Sequence, residues 1–316
     1  MSVVKNEKGM VLLVVLMITT LLAVLLSEFS FSTLVDLRLT ETFRDSTRAY
    51  YLARGGVTVG RMFLKMDTNG YDAPHDPAEL WSQGLPSYPV GGGYVSIQVE
   101  DLGGKLALNR LINAQGNVDE VEKNRFKLLC ELLDLAEPQV LTDSLIDWLD
   151  SDDQPRAEGA EADYYLQQKK PYPAKNAKLD TLSELELVRG FTPEVRQKLE
   201  PHVTLYGDGK INVNSVSPEV LAAVFAAGDT VSLSEAESAA AVVIAQRDEL
   251  PIKNQQALDQ LKELPELENL GYIVNTYLDI QSGYFTIRSD AEVNDGVRTV
   301  TALVDSQDRL LQQRVL

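Results

Sequence analysis

Residues 10–26 are apolar except for Thr19 and Thr20, and the run begins immediately after Lys8-Gly9. Phe29 and Phe31 carry it past Ser27 and Glu28. As a helix rising about 1.5 Å per residue, residues 10–31 are long enough to cross a bilayer core of roughly 30 Å. Lys5 and Lys8 precede the run, so the positive-inside rule keeps the leader in the cytoplasm and sends the remainder across. A secretory signal peptide would end in a small-residue cleavage site after its apolar stretch. Here the small residue comes first. That order predicts a leader, residues 1–9, cut after Gly9, which leaves Met10 at the head of a retained membrane helix. An uncleaved signal anchor needs only the same basic leader and apolar helix.

The exported part is large enough for about two domains. A hydrophobic content of 44% excludes a wholly disordered chain. The net charge of −18 disfavours nucleic acid and anionic lipid as partners, because phosphate contacts supply most non-specific affinity and would be repelled. Cys130 is the sole cysteine, so no intramolecular disulfide exists, and its apolar setting (Phe126, Leu128, Leu129, Leu132, Leu133) predicts a core thiol. His75 and His202 are too far apart in sequence to suggest a histidine-based catalytic or zinc site.

Helical character continues beyond the membrane. Phe43, Tyr50, Val57 and Leu64 recur every seven residues, with Arg44, Asp45 and Arg48 on other faces, the pattern of a helix packing one stripe on a domain. Residues 69–93, rich in Gly, Pro, Ser and Asp, read as loop. Val95, Ile97 and Val99 alternate as a half-buried strand, 101–104 turns, and Leu106 and Leu108 alternate again. A second strand pair covers 284–288 and 297–304 around Asn294-Asp295-Gly296, and 310–316 adds an edge strand. The roughly 170 residues between these β-rich ends carry helical signals, which implies one sheet with a helical insertion. Within the insertion, Gly104-Lys105-Leu106-Ala107-Leu108-Asn109 is echoed by Gly209-Lys210-Ile211-Asn212-Val213-Asn214. Helix–turn–helix stretches are expected over 182–199, turning at 189–193, and over 218–247, where Ser217-Pro218 is a helix start and the break falls at 228–233.

The most charged stretch, residues 147–163, holds seven carboxylates: Asp147, Asp150, Asp152, Asp153, Glu158, Glu161 and Asp163, with Arg156 the one arginine. So many acids are stable together only if solvated or sharing a cation. Asp150 and Asp152 have the i, i+2 spacing of calcium loops, and Glu161 with Asp163 could return to complete the shell. The spacing is not that of an EF-hand. By composition, a solvated acidic loop and a calcium loop are equally open. Asp147 is expected to cap or end the preceding helix. A paired glycosidase acid and base has no supporting second motif.

The leader resembles that of type IV pilins and type II secretion pseudopilins, in which a prepilin peptidase cuts after glycine and methylates the new first residue. Val14 stands where such proteins carry a glutamate, five residues into the mature chain. That glutamate pairs with the amino terminus of a neighbouring subunit, and its absence resembles the minor pseudopilin K family. The segment from Phe43-Arg44-Asp45 to Arg54-Gly55-Gly56 and the pattern Asp147-Trp148, Asp150, Asp152, Gly159-Ala160-Glu161, Tyr164 resemble the same family.

The resemblance implies an α+β fold: a long transmembrane and amphipathic N-terminal helix packed on a small antiparallel pilin-type sheet, with a large all-α domain inserted in the sheet. The pseudopilin core would be 32–110 with 278–316. The insertion, 111–277, would hold two SAM-like or helix-hairpin-helix-like units and a calcium loop at 147–165. It further implies Ca2+ on Asp150, Asp152, Glu161 and Asp163, with Asp153 beside them. The expected role is a non-enzymatic minor pseudopilin at the pseudopilus tip of a type II secretion system, helping to start assembly for export of folded proteins. It would be single-pass in the bacterial inner membrane, with its C-terminal bulk in the periplasm. Expected partners are the I- and J-type minor pseudopilins with the H type as a further candidate, the prepilin peptidase at Gly9-Met10, inner-membrane lipid, secreted substrates, and no nucleic acid. The alternative is a membrane-anchored periplasmic binding or sensor module with an uncleaved anchor.

Overall fold

The computed structural model describes residues 7–228 and 230–316. Leader residues 1–6, including Lys5, lie outside the described residues; Gly9 and Met10 lie inside the first helix.

That helix, α1 (Glu7–Met66), is continuous through the apolar run and onto the domain that follows it. Its first half touches nothing: the apolar side chains from Met10 to Leu39 are exposed, as a bilayer-embedded segment requires. The threonines there are satisfied within the helix: Thr19 and Thr20 donate to the Leu16 carbonyl and Thr33 to that of Phe29.

The second half of α1 lies on one face of a five-stranded antiparallel sheet. After α2 (Leu80–Gln83) the chain forms β1 (Leu85–Val90) and β2 (Gly93–Asp101). β3 (Leu106–Ala107) pairs in parallel with β4 (Val203–Thr204), and β5 (Ile211–Asn212) with β6 (Leu278–Asp279). β7 (Tyr284–Val293), β8 (Gly296–Asp305) and β9 (Leu310–Val315) complete the main sheet, whose order is β1-β2-β7-β8-β9. β2 and β7 are adjacent in register from Tyr94–Glu292 to Asp101–Phe285, although residues 102–283 separate them in sequence.

The helix approaches the sheet closely because small residues line its inner face. Ala49 and Ala53 are fully buried. A Cβ on Gly56 would collide with the Ser289 hydroxyl, and one on Gly60 would lie 2.6 Å from Ile287 Cγ2. This corrects the expected stripe in part. Val57 is buried, Tyr50 and Leu64 are half-buried, and Phe43 is exposed. A seven-residue repeat drifts off a straight 3.6-residue helix, and the alanines and glycines supply the contact. Two polar ties fix the helix along the sheet. Asn294, at the β7–β8 turn, donates from Nδ2 to Asp45 at 2.9 Å, and Arg61 pairs with Asp308 at 2.7 Å in the β8–β9 turn.

Two other expectations change. Residues 69–93 contain α2 and β1; Pro86 and Pro89 make that stretch look like loop, yet proline is tolerated on an edge strand. The stretch 106–108 is strand for only two residues, and its partner is Val203–Thr204.

Between β2 and β7 the chain builds its larger core. Its helices are α3 (Glu120–Leu132), α4 (Pro138–Leu149), α5 (Ala162–Leu166), α6 (Pro193–Leu199), α7 (Pro218–Ala226), α8 (Leu233–Glu249), α9 (Gln255–Gln260) and α10 (Gly271–Tyr277). α7 is buried along nearly its whole length and forms the centre of this cluster. Asp119, Thr192, Ser217, Ser232 and Asn254 each cap a helix by accepting from backbone N–H groups. Cys130 is fully buried here, and burial pushes its thiol pKa well up, so it is inert packing. Where the two cores meet, Asn212 Nδ2 donates to Asp72 O, Asp101 Oδ2 and Ser282 Oγ, each at 2.9 Å.

Candidate metal centre

The acidic loop leaves α4, whose last two turns point carboxylates at it. Asp143, Asp147 and Asp150 follow i, i+4, i+7 spacing and so share one helix face. Asp147, expected to cap or end α4, stands two residues inside its end, and Asp150 is the C-cap. Asp147 sits fully buried in the last turn, and Oδ2 accepts the Arg156 N–H at 3.1 Å. Asp143 accepts the Glu158 N–H at 3.3 Å. These two buried acids hold the loop backbone down over the end of the helix. A Cβ on Gly159 would collide with Asp147 Oδ2, which explains the glycine before Ala160-Glu161. From the far side, Arg189 donates to the carbonyls of Gly159 at 2.8 Å and Glu158 at 3.3 Å. Trp148, Tyr165 and Tyr172 pack edge-on or tilted beneath, with ring centroids 5.1–6.3 Å apart.

This frame brings three of the five expected ligands together. Asp150, Asp152 and Glu161 each offer an oxygen within 4.8 Å of the other two. Asp153 and Asp163 are exposed and fall outside that cluster. Asp153 accepts instead from Asn176 Nδ2 at 3.1 Å, and Asp163 lies in the first turn of α5.

The electrostatics are those of acids crowded out of water. Glu161 is 4% exposed, and neither of its carboxylate oxygens has a partner; Asp150 Oδ1 is also buried and unpartnered, while Asp147 Oδ1 has only Arg156 Nε, at 3.6 Å. Burial, reinforced by the neighbouring aspartates, raises Glu161 to about 8 and Asp150 to about 6. Burial also raises Asp147. Unpaired buried carboxylate oxygens are costly, so the arrangement calls for protons or a cation.

The donor set fits a hard divalent ion. Ca2+ takes oxygens at about 2.3–2.6 Å, so ligands on opposite sides of it lie up to roughly 5 Å apart, the spread seen here. Among the described residues no histidine or cysteine joins the group, which disfavours zinc. One residue tied to this loop was missed in the sequence. Asn176 Oδ1 is buried without a partner, while its Nδ2 donates to Asp152 O at 2.9 Å. Its distance along the chain hid it, whereas the i, i+4 pairing of Asp143 with Asp147 was readable.

The chain is similar to known proteins. Residues 104–208 match the family described as type II secretion system (T2SS), protein K. The type II secretion system protein K of Klebsiella pneumoniae is 32% identical over 236 residues, covering 70% of this chain and 71% of that protein. Those of Pectobacterium carotovorum and Aeromonas hydrophila are each 27% identical and cover 92% of this chain and 90% of their own lengths. A solved structure, the GspK-GspI-GspJ complex from the enterotoxigenic Escherichia coli type 2 secretion system, contains a chain that matches with a TM-score of 0.72 at 22% identity. The match covers 88% of this chain and 99% of that one.

Proposed function

The chain belongs to the type II secretion system protein K family, a family of minor pseudopilins, and from that premise we propose that it caps the pseudopilus tip and helps initiate pseudopilus assembly. The observation that carries this reading is the pairing of a bare apolar helix with a head far wider than the helix. In a filament whose subunits stack through their N-terminal helices, a head with residues 102–283 looped out of its sheet leaves no room for an identical subunit above. Val14 supports the same position, since it gives no carboxylate to an upper neighbour's amino terminus.

On this reading Gly9 is the cleavage residue, Met10 becomes the N-methylated terminus, and α1 anchors the protein in the inner membrane with its head in the periplasm. The I- and J-type minor pseudopilins are its partners, as the composition of the E. coli complex suggests, and an H-type subunit would connect that group to the shaft. The protein does no chemistry of its own. Asp150, Asp152 and Glu161 hold Ca2+, with Asn176, Asp153 and Asp163 as candidate further ligands. The ion neutralises the crowded carboxylates and locks the loop between α4 and α5.

Co-purification from detergent-solubilised membranes tests the partner assignment. Tagged protein should bring down the I and J types, and recovery of this chain alone would contradict it.

A further inference from the structure

Between α1 and α2, residues 67–79 form a strap that leaves the sheet core, touches the helical block and returns. Tyr71 and Ala73 pack in the core of the block, whereas Trp81, just past the strap, packs edge-on against Phe285 in the sheet core. Polar contacts fasten the strap to the block. Lys253, in the loop before α9, pairs with Asp76 Oδ2 at 2.6 Å, and the Tyr71 hydroxyl donates to the same oxygen at 3.0 Å. Three bonds meet at Asp72. Its N–H donates to Ile280 O at 2.7 Å, its carbonyl accepts from Asn212, and its Oδ2 accepts the Ser282 N–H at 2.7 Å.

Asp72 is 8% exposed, and most of the charged groups facing it are acids. From β2, the buried Asp101 joins the same junction, with Oδ2 on Asn212 and Oδ1 on the Gly103 N–H. The strap itself contributes Asp67 and the buried Glu79, which accepts from Asn69 and Trp81. Asp72 also lines a cleft of about 710 Å³, together with Lys65, Asp208, Asp279, Asp305 and Asp308. Lys210 pairs there with Asp279, Arg309 with Asp305 and Arg61 with Asp308. Lys65, exposed at the end of α1, is the one base of this group with no ion pair among the described residues.

Burial, with Asp101, Asp67 and Glu79 adding to it, raises Asp72 to about 7 against the pull of the Ser282 N–H. Burial also raises Asp101, and it raises Glu79 to about 7. A bare carboxylate at position 72 has little water and acids around it, so its ionisation favours any opening that lets the cleft's solvent in.

We propose that this junction is a proton-controlled latch: Asp72 with its proton keeps the strap closed between the sheet and the block, and the bare carboxylate loosens it. The closed state binds a proton that an open, hydrated one gives up. Closure is therefore strongest below about pH 4 and is lost as pH rises through about 7, opening becoming about tenfold easier per pH unit between. Since α1 ends at Met66, where the strap begins, the latch sets how firmly the helical block is held to α1 and the sheet.

Hydrogen–deuterium exchange of the full chain in detergent, at pH 5.5 and pH 8.0, tests the latch. After correction for intrinsic exchange rates, protection at 67–80 and 279–284 should fall about tenfold or more at pH 8.0, while that of α7 is kept. Asp72→Asn keeps an oxygen for the Ser282 N–H and cannot ionise, so it should hold the protection of both segments at pH 8.0. Should that variant fail to fold, Glu79→Gln decides, because it should leave the loss at 279–284 in place. Protection independent of pH, an undiminished loss in Asp72→Asn, or disappearance of the loss in Glu79→Gln overturns the proposal.

Discussion

At the scale of single residues, the acidic loop ties stability to pH and, on the proposed function, to calcium. In the ion-free protein Glu161 and Asp150 hold their protons to about 8 and about 6, above their values in an unfolded chain. The folded state then binds more protons than the unfolded one between about pH 4 and 8, so its stability falls as pH rises through that window. A calcium ion bound as proposed would replace the protons, and its effect should grow over the same range. The gap in melting temperature between excess calcium and excess chelator should widen from pH 5.5 to pH 8.5, and Glu161→Gln should largely close it. A gap that is absent, or equal at both pH values, removes the metal from the account. Gly159→Ala tests the frame rather than the ligands. A methyl there collides with Asp147 Oδ2, so calcium affinity should drop about tenfold or more, from misplaced ligands, with Asp150, Asp152 and Glu161 all present. Unchanged calcium titration in that variant would show that Asp147 does not hold the loop.

At the scale of elements, α1 does two jobs with two kinds of face. Its outer half is apolar all round, while its inner half meets the sheet through Ala49, Ala53, Gly56 and Gly60. Gly56→Val should destabilise the protein by about 1–3 kcal/mol through overpacking against Ser289 and Val95, measured by denaturant unfolding in detergent. A neutral result would mean the helix sits further off the sheet. Gly9→Leu touches no packing, since nothing lies within 4 Å of that position, so it should leave the fold intact and block peptidase processing. Mass spectrometry should then find the precursor, and a mature Met10 terminus would contradict the cleavage assignment. The elements also show what was legible. β7, β8 and β9 were plain because alternation and the Asn294-Asp295-Gly296 turn are local signals. β1 was hidden by Pro86 and Pro89, because only an edge strand accepts them and sequence does not mark edges. The pairing of Leu106–Ala107 with Val203–Thr204 depends on the whole intervening chain. The acidic cluster was legible to the extent that its members are near in sequence: Asp150, Asp152 and Glu161 converge, whereas the hydrogen bonds of Asn176 to Asp152 and Asp153 could only be found in three dimensions.

At the scale of the whole molecule, one long helix carries a head whose size comes from the block between β2 and β7. On the proposed function, such a subunit ends or begins a filament of narrower subunits and does not repeat within it. The direct measurement is to count and locate this protein on assembled pseudopili. A single label attached through an exposed position of the head should appear once per pseudopilus, at its distal end, in company with the I- and J-type subunits. Labels spaced regularly along the shaft, at several copies per filament, would contradict the account.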